Sequence, residues 1–409
     1  MQNYLARSTL REYNSVNEMR RQLVLTFSIL VFLLLGTIFV VSYGRGYRLG
    51  FDKGRPDFLG TGLLVATSKP DGASVFINGH LATATANTIN LSPGEYSVKI
   101  FKDGYLPWEK KIKIQKEVVA KVDALLFPTA PKLESITNIG VRNPVLDPSK
   151  TRLAYAIASQ SARKNGIYIL DLTARPILTL QSASVQAVDD TVDQFSTSSF
   201  SFSPDGLQLI ATTSAQTSYL LDTNSHNSSP KDTTTTLSSV GLGFEKQKTE
   251  KEKARIESLP KNLRPQISDK FKIIEWSLDD SKILYEASTS AALPTIIEPR
   301  LIGTNTKEEQ RNLEKGKIFV YDIKEDKNYK IDLKSSKNLH WYPDSEHLIY
   351  VADQKIDIME YDGGNRTTIY AGPFVDGFVF PWPDSTKVVI LTNLGNPTIL
   401  PNLYTIVLK

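Results

Sequence analysis

The chain of 409 residues contains no cysteine. That absence excludes disulfide staples, thiolate metal sites and a cysteine nucleophile together. Histidine is scarce, with only His80, His226, His340 and His347, so imidazole-based catalysis or zinc ligation lacks material. No excess of one charge exists: 48 basic against 44 acidic residues leave +4, which gives no electrostatic case for nucleic acid as a partner. There is no G-x-S-x-G elbow, P-loop, H-E-x-x-H or dinucleotide fingerprint. The expectation is a chain without catalytic residues, metal or cofactor.

What is present begins with Gln22 to Gly44, 23 residues without a formal charge, directly after Arg20 and Arg21. Its apolar heart, Leu23 to Val41, would span roughly 28 Å as a helix, close to the ~30 Å hydrocarbon layer of a bilayer. No small-residue cleavage pattern follows; Ser42-Tyr43-Gly44-Arg45-Gly46-Tyr47-Arg48 is bulky and basic. The segment reads as an uncleaved anchor with the lipid bilayer as its partner. Arg7, Arg11, Arg20 and Arg21 precede it, and Arg45, Arg48, Lys53 and Arg55 follow it. Four against four leaves orientation open on charge. Tyr43, Tyr47 and Phe51 stand four apart, which suits either an interfacial aromatic belt or a glycine-rich stalk over 45–60.

From Thr61 to Phe127, apolar and polar residues alternate at period two. Tyr96, Val98 and Ile100 share one side of a predicted strand, and Ile112 and Ile114 share one side of another. Turn residues punctuate the runs at Pro70-Asp71-Gly72, Asn78-Gly79, Pro93-Gly94 and Asp103-Gly104. Five or six short strands in a small β-sandwich are expected.

The runs Pro70-Asp71-Gly72-Ala73-Ser74-Val75-Phe76-Ile77-Asn78-Gly79, Leu91-Ser92-Pro93-Gly94-Glu95-Tyr96-Ser97-Val98 and Lys102-Asp103-Gly104-Tyr105 resemble the PEGA domain. Asp71 stands where the family's tetrad has Glu. The resemblance implies a non-catalytic β-sandwich of the kind common in bacterial surface proteins. Such domains usually lie outside the membrane, which would make the tail 1–21 cytoplasmic and the bulk extracytoplasmic. In Tyr105-Leu106-Pro107-Trp108, Tyr105 and Trp108 are either packing residues or a stacking surface for a sugar or another domain.

After a linker expected over 128–140, residues 141–409 carry a repeated unit: an aromatic or apolar residue, an Asp-bearing turn, then an apolar strand. It reads Phe202-Ser203-Pro204-Asp205-Gly206, Trp276-Ser277-Leu278-Asp279-Asp280, Trp341-Tyr342-Pro343-Asp344-Ser345 and Trp382-Pro383-Asp384-Ser385, with a fainter copy at Leu146-Asp147-Pro148-Ser149. This pattern resembles TolB-like and related WD-type β-propellers. The turns recur at 148, 204, 278, 343 and 383, which predicts five blades, or six if one is divergent or if strands near Leu133–Ile139 complete the last. Residues 224–266 are Ser/Thr/Asn-rich and then charged, and read as a mobile insertion with one weak helix at 245–258. Asp205, Asp279 and Asp344 suit turn-capping better than calcium ligation, because they belong to separate blades.

The expected architecture is therefore all-β behind a single transmembrane helix (22–44). The leading functional expectation is a single-pass membrane protein presenting a propeller to a cell-envelope protein or polysaccharide. The competing expectation is a carbohydrate-active or other hydrolytic enzyme, which would need paired carboxylates converging in the propeller channel.

Overall fold

The structure, a computed structural model, describes residues 2–44, 47–52, 55–173, 184–333 and 335–408, with side chains described outside 2–20 and 47–59. Arg45, Lys53 and the side chains of Arg7, Arg11, Arg20, Tyr47, Arg48, Phe51 and Arg55 lie outside the described residues.

Helix α1 runs unbroken over Gln2–Gly44. Its stretch Arg21–Gly44 is long and apolar enough to cross a membrane, and none of it is buried against the rest of the chain. The hydroxyls of Thr26, Ser28 and Thr37 each donate to the carbonyl four residues back, at 2.8 Å. Those bonds give the three hydroxyls an acceptor within the helix itself, as an apolar surrounding would require.

Beyond α1, the segment expected as a stalk is a β-hairpin. Tyr47–Asp52 pairs antiparallel with Arg55–Gly60, and Tyr47 lies opposite Gly60. An extended spacer would separate its ends; a hairpin returns them to the same place.

The sandwich has seven strands in two sheets. Gly62–Lys69 lies between Asn87–Leu91 and Val119–Leu125, while the second sheet orders His80–Ala84, Ser74–Ile77, Gly94–Phe101 and Trp108–Ile114. Val98 and Ile100 are fully buried and Ile112 and Ile114 nearly so, as the alternation predicts. At the Asn78-Gly79 turn both residues take positive φ, +50° and +83°. Strands Gly62–Lys69 and Val119–Leu125 run parallel, so both point from the hairpin end of the sandwich toward the propeller.

Five four-stranded antiparallel sheets follow. The first holds Arg142–Leu146 to Ser184–Asp189, the second Ser199–Phe202 to Lys231–Asp232, the third Phe271–Trp276 to Lys327–Ile331 and the fourth Leu339–Trp341 to Thr367–Ala371. The fifth takes three strands from Val379–Val407 and its outer strand, Lys132–Ser135, from the start of the module. The stretch expected as a linker over 128–140 thus contributes a blade strand, because the edge of Asn402–Val407 would otherwise be left unpaired. Among the described residues five blades stand, and the strand near Leu133 completes the fifth instead of adding a sixth.

Buried clusters join the fifth sheet to the first, the first to the second, the third to the fourth and the fourth to the fifth. Between the second and third sheets no such shared cluster occurs among the described residues, and the ring is not closed there. Ile210 and Leu220, on the second sheet's unshared face, stay half-buried. The facing side of the third sheet is covered instead by the insertion, which is more ordered than its composition suggests. Helix α2, Leu237–Ser258, is followed by helix α3, Arg264–Lys270. Leu259, Leu263 and Ile267, four residues apart, pack on Phe271, Trp276, Ile283 and Tyr285. Most of the charged run 245–253 is exposed, and its half-buried Glu252 accepts from the Trp276 indole N–H at 3.0 Å.

Candidate functional site: the joint between sandwich and propeller

Strand Trp108–Ile114 alternates, so Trp108, Lys110, Ile112 and Ile114 face the same way. Ile112 and Ile114 enter the sandwich core, and the same parity carries Lys110 inward at the end nearest the propeller. There it meets the turn after strand Lys355–Glu360 of the fourth blade. Lys110 Nζ lies 2.5 Å from Glu360 Oε2 and 2.7 Å from Asp362 Oδ2. The indole of Trp108 donates to Glu360 Oε1 at 2.6 Å, and the Glu109 backbone N–H donates to Asn365 Oδ1 at 3.0 Å. Asp362 is fully buried and accepts from Asn305 Nδ2 and the Gly364 N–H, both at 2.8 Å. Gly363 makes this turn possible with φ of +77°, and a Cβ at Gly364 would sit 2.9 Å from the Asp362 carboxylate.

Electrostatics follow the geometry. Burial alone would lower the pKa of Lys110, but Glu360 and Asp362 outweigh it and raise the value above that of free lysine. Burial likewise pushes Asp362 up, while Lys110, Asn305 and Lys307 pull it below the usual carboxylate range. Close by, burial lowers His347 but Asp344, 2.8 Å from its Nδ1, raises it on balance.

A third element completes the joint. The excursion 288–317 leaves the third blade and descends beside the sandwich. It is pinned by Asp326, which accepts from the Ile296 and Ile297 N–H groups at 2.7 and 2.9 Å and from Tyr321 OH at 2.6 Å, and pairs with Arg300 and Arg311. Its Thr306 Oγ1 reaches the Lys111 carbonyl at 3.4 Å, and a Cβ on Gly303 would lie 3.1 Å from Val118. Between sandwich, excursion and blade remains a cleft of about 540 Å³, bordered by Lys69, Lys121, Glu325, Glu346 and Tyr361 among others. Its carboxylates are engaged: Glu325 accepts from the Asn305 N–H, Glu346 pairs with Lys282 at 2.8 Å, and Asp344 caps two backbone N–H groups.

The residues singled out from the sequence fall as follows. Trp108 is 5% exposed and its N–H is used on the propeller, so it stands between modules; Tyr105 packs partly buried against the sandwich core. Asp205 accepts from Ser203 Oγ and the Leu207 N–H, and Asp279 from Ser277 and Ser281; both carboxyls are held below their usual range, Asp205 chiefly by the Ser203 hydroxyl and Asp279 by these hydroxyls against its burial. At the inner strands, Glu275 pairs with Lys150 of the first blade and with His340 at 3.3 Å, and accepts from the Trp341 N–H. One carboxylate with three partners is not the converging pair that glycoside hydrolysis requires. Among the described residues no group of three or more His, Asp or Glu is arranged to hold a metal.

Lys110, Glu360, Asp362, Asn305 and Asp326 were not singled out by motif. One signal existed for Lys110: it occupies an inward position of an alternating strand, where a charge demands a partner. Nothing local marks Glu360 or Asp362 as that partner, 250 and 252 residues away.

Fold and joint define a membrane-length helix, a seven-stranded sandwich and a five-bladed propeller. Residues 61–129 match the model of the PEGA domain family. No curated protein matches the chain. Among solved structures, a putative TolB from Agrobacterium tumefaciens is 16% identical, over 65% of this chain and 72% of that one, with a TM-score of 0.21. TolB from Acinetobacter baumannii is 14% identical over 77% and 60%, with a TM-score of 0.23. An acylaminoacyl peptidase from Pyrococcus horikoshii is 12% identical over 65% and 38%, with a TM-score of 0.19. Scores this low carry no argument about function, and the propeller assignment stands on the five sheets themselves.

Proposed function

We propose that this is a single-pass membrane protein, non-catalytic, with its amino-terminal tail in the cytoplasm and its sandwich and propeller outside. It presents the propeller to a protein or glycan of the cell envelope. One observation carries the reading: the buried Lys110–Glu360–Asp362 lock makes sandwich and propeller a single body behind a membrane-length helix. A joint of this kind serves presentation at a fixed orientation. The sandwich occupies the end of the propeller that bears the Asp turns, leaving the opposite end open. That end carries the 393–401 connection, where Leu394, Ile399 and Leu400 are 51, 48 and 41% exposed, apolar area suited to a partner.

The native chain has no cysteine, so a single Asp103→Cys or Leu394→Cys reports topology cleanly. Membrane-impermeant maleimide should label both in intact cells. Labelling that requires permeabilisation would reverse the orientation. Saturable binding of the full chain in nanodiscs to envelope polymers or envelope proteins, lost on Leu394→Asp, supports presentation; binding to neither class refutes it.

A further inference from the structure

We propose that the tip of the 288–317 excursion, Leu301 and Ile302, is a second membrane contact that rests in the lipid interface beside the anchor. The proposal rests on the reading that α1 spans a bilayer, and it follows from three placements.

First, the hairpin puts the base of the sandwich at the membrane. Tyr47 pairs with Gly60, and Tyr47 is three residues from the end of α1. Three extended residues, one inter-strand step and one further residue place Thr61 within about 20 Å of Gly44. Second, the turn at 115–118 belongs to that base. The Glu117 N–H donates to the Thr61 carbonyl at 3.0 Å, the Leu63 N–H donates to the Val118 carbonyl at 3.0 Å, and a Cβ on Gly60 would strike the Lys116 stem. Third, the excursion descends to the same turn. Thr306 meets Lys111 halfway down the strand, and Gly303 meets Val118 and Val119 at its foot. The two residues before Gly303 are then the lowest part of the propeller module.

Those two residues have the wrong chemistry for water. Ile302 is 74% and Leu301 48% exposed, with Val119 at 41% beside them. Lys113 lines the same small recess as Leu301, and Lys113 and Lys116 are both exposed. Apolar side chains rimmed by lysines, held next to the exit of a membrane helix, match an interface of acyl chains below and anionic headgroups around. The contact would limit tilting of the propeller relative to α1.

The test uses the full chain in nanodiscs containing anionic lipid and lipids with a shallow nitroxide quencher. Single cysteines replace Ile302 (Ile302→Cys), Val41 within the helix (Val41→Cys) and Leu394 at the far end (Leu394→Cys), each labelled with an environment-sensitive fluorophore. The expected result is strong quenching at positions 41 and 302, several-fold above position 394, with the signal at 302 falling when Leu301→Asp is added or when zwitterionic lipid replaces anionic lipid. Quenching at 302 no greater than at 394, with position 41 quenched, overturns the second contact and leaves the anchor intact. A blue-shifted but unquenched label at 302 assigns the patch to a protein surface and overturns it too. Position 41 unquenched removes the anchor reading itself, and the proposal with it.

Discussion

Replacing Lys110 by methionine keeps the stem volume and removes the charge that joins sandwich to propeller. The Lys110, Glu360 and Asp362 side chains are 17, 10 and 0% exposed. Their carboxylates cannot recover hydration when the ammonium is lost. Breaking a buried ion pair by removing one partner costs about 3–5 kcal/mol. Here the lower end applies, because Glu360 keeps Trp108 and Asn365 as donors and Asp362 keeps Asn305, Gly364 and, at 3.8 Å, Lys307. A cost of about 3 kcal/mol shifts the joint's closing equilibrium roughly a hundredfold. Spin labels on the double variant Glu95→Cys/Leu394→Cys read this directly. One narrow distance between modules is expected with Lys110 and a broadened distribution with Lys110→Met. Adding Glu360→Gln and Asp362→Asn should restore much of the narrow distribution, since the penalty comes from unpaired charge. A cost below about 1 kcal/mol with unchanged distances, or a gain in stability, would show that desolvation had already cancelled the attraction.

His347 has a pKa raised above 6.5, so its charged form stabilises the fold fully below that value and progressively less as pH rises through the folded value. His347→Gln should therefore lower the melting temperature more at about pH 5.5 than at about pH 9; an equal or larger loss at the higher pH contradicts the assignment. Leu263→Ala, at a side chain of the insertion that is 2% exposed against the third sheet, should cost about 2–5 kcal/mol and loosen the cover over Trp276. Tryptophan emission should shift to the red and apolar dye should bind; unaltered emission and stability would mean that the helices do not cap the third sheet.

The sandwich and blades were legible because each strand carries its own evidence. Period-two alternation placed Val98, Ile100, Ile112 and Ile114 inside, and all four are buried. Asn78-Gly79 announced its turn through the only backbone region that suits it. The Asp turns were readable for the same reason: Asp205 bonds Ser203 and Leu207, two residues away on either side. What the sequence did not yield depends on partners far along the chain. The outer strand Lys132–Ser135 has no alternating burial of its own, all four residues being exposed, and exists through pairing with Asn402–Val407. Helix α2 was expected only over 245–258 and begins earlier, at Leu237; it buries no residue, so nothing local in the Ser/Thr-rich stretch before the charged run marks its start. The joint is the extreme case, with Lys110 and its acceptors at opposite ends of two modules.

The 288–317 excursion gains a physical reason once the hairpin is seen. A stalk of sixteen extended residues could have lifted the sandwich by about 50 Å, and no loop of the propeller would then approach the bilayer. Folded back on itself, the hairpin adds no separation between its ends, and the sandwich alone sets the standoff. Its strand Val119–Leu125, seven residues long, spans about 23 Å at 3.3 Å per residue. Each arm of the excursion, 288–301 and 303–317, has about fourteen residues and can extend to about 45 Å, which matches that distance plus the ~20 Å of strand Lys282–Ala287 that it must also pass. A blade with tight connections needs none of this length, as the two-residue turn at Asp353-Gln354 in the fourth blade shows. The 288–317 connection is the third blade's counterpart of that turn; it leaves the blade at the end away from the sandwich, and its length lets it pass back along the blade and down beside the sandwich toward the membrane. Shortening its tip between Arg300 and Asn305, which spares the buried Leu293 and Leu313 of the third-sheet core, should leave the blade strands intact but free the sandwich from its second support.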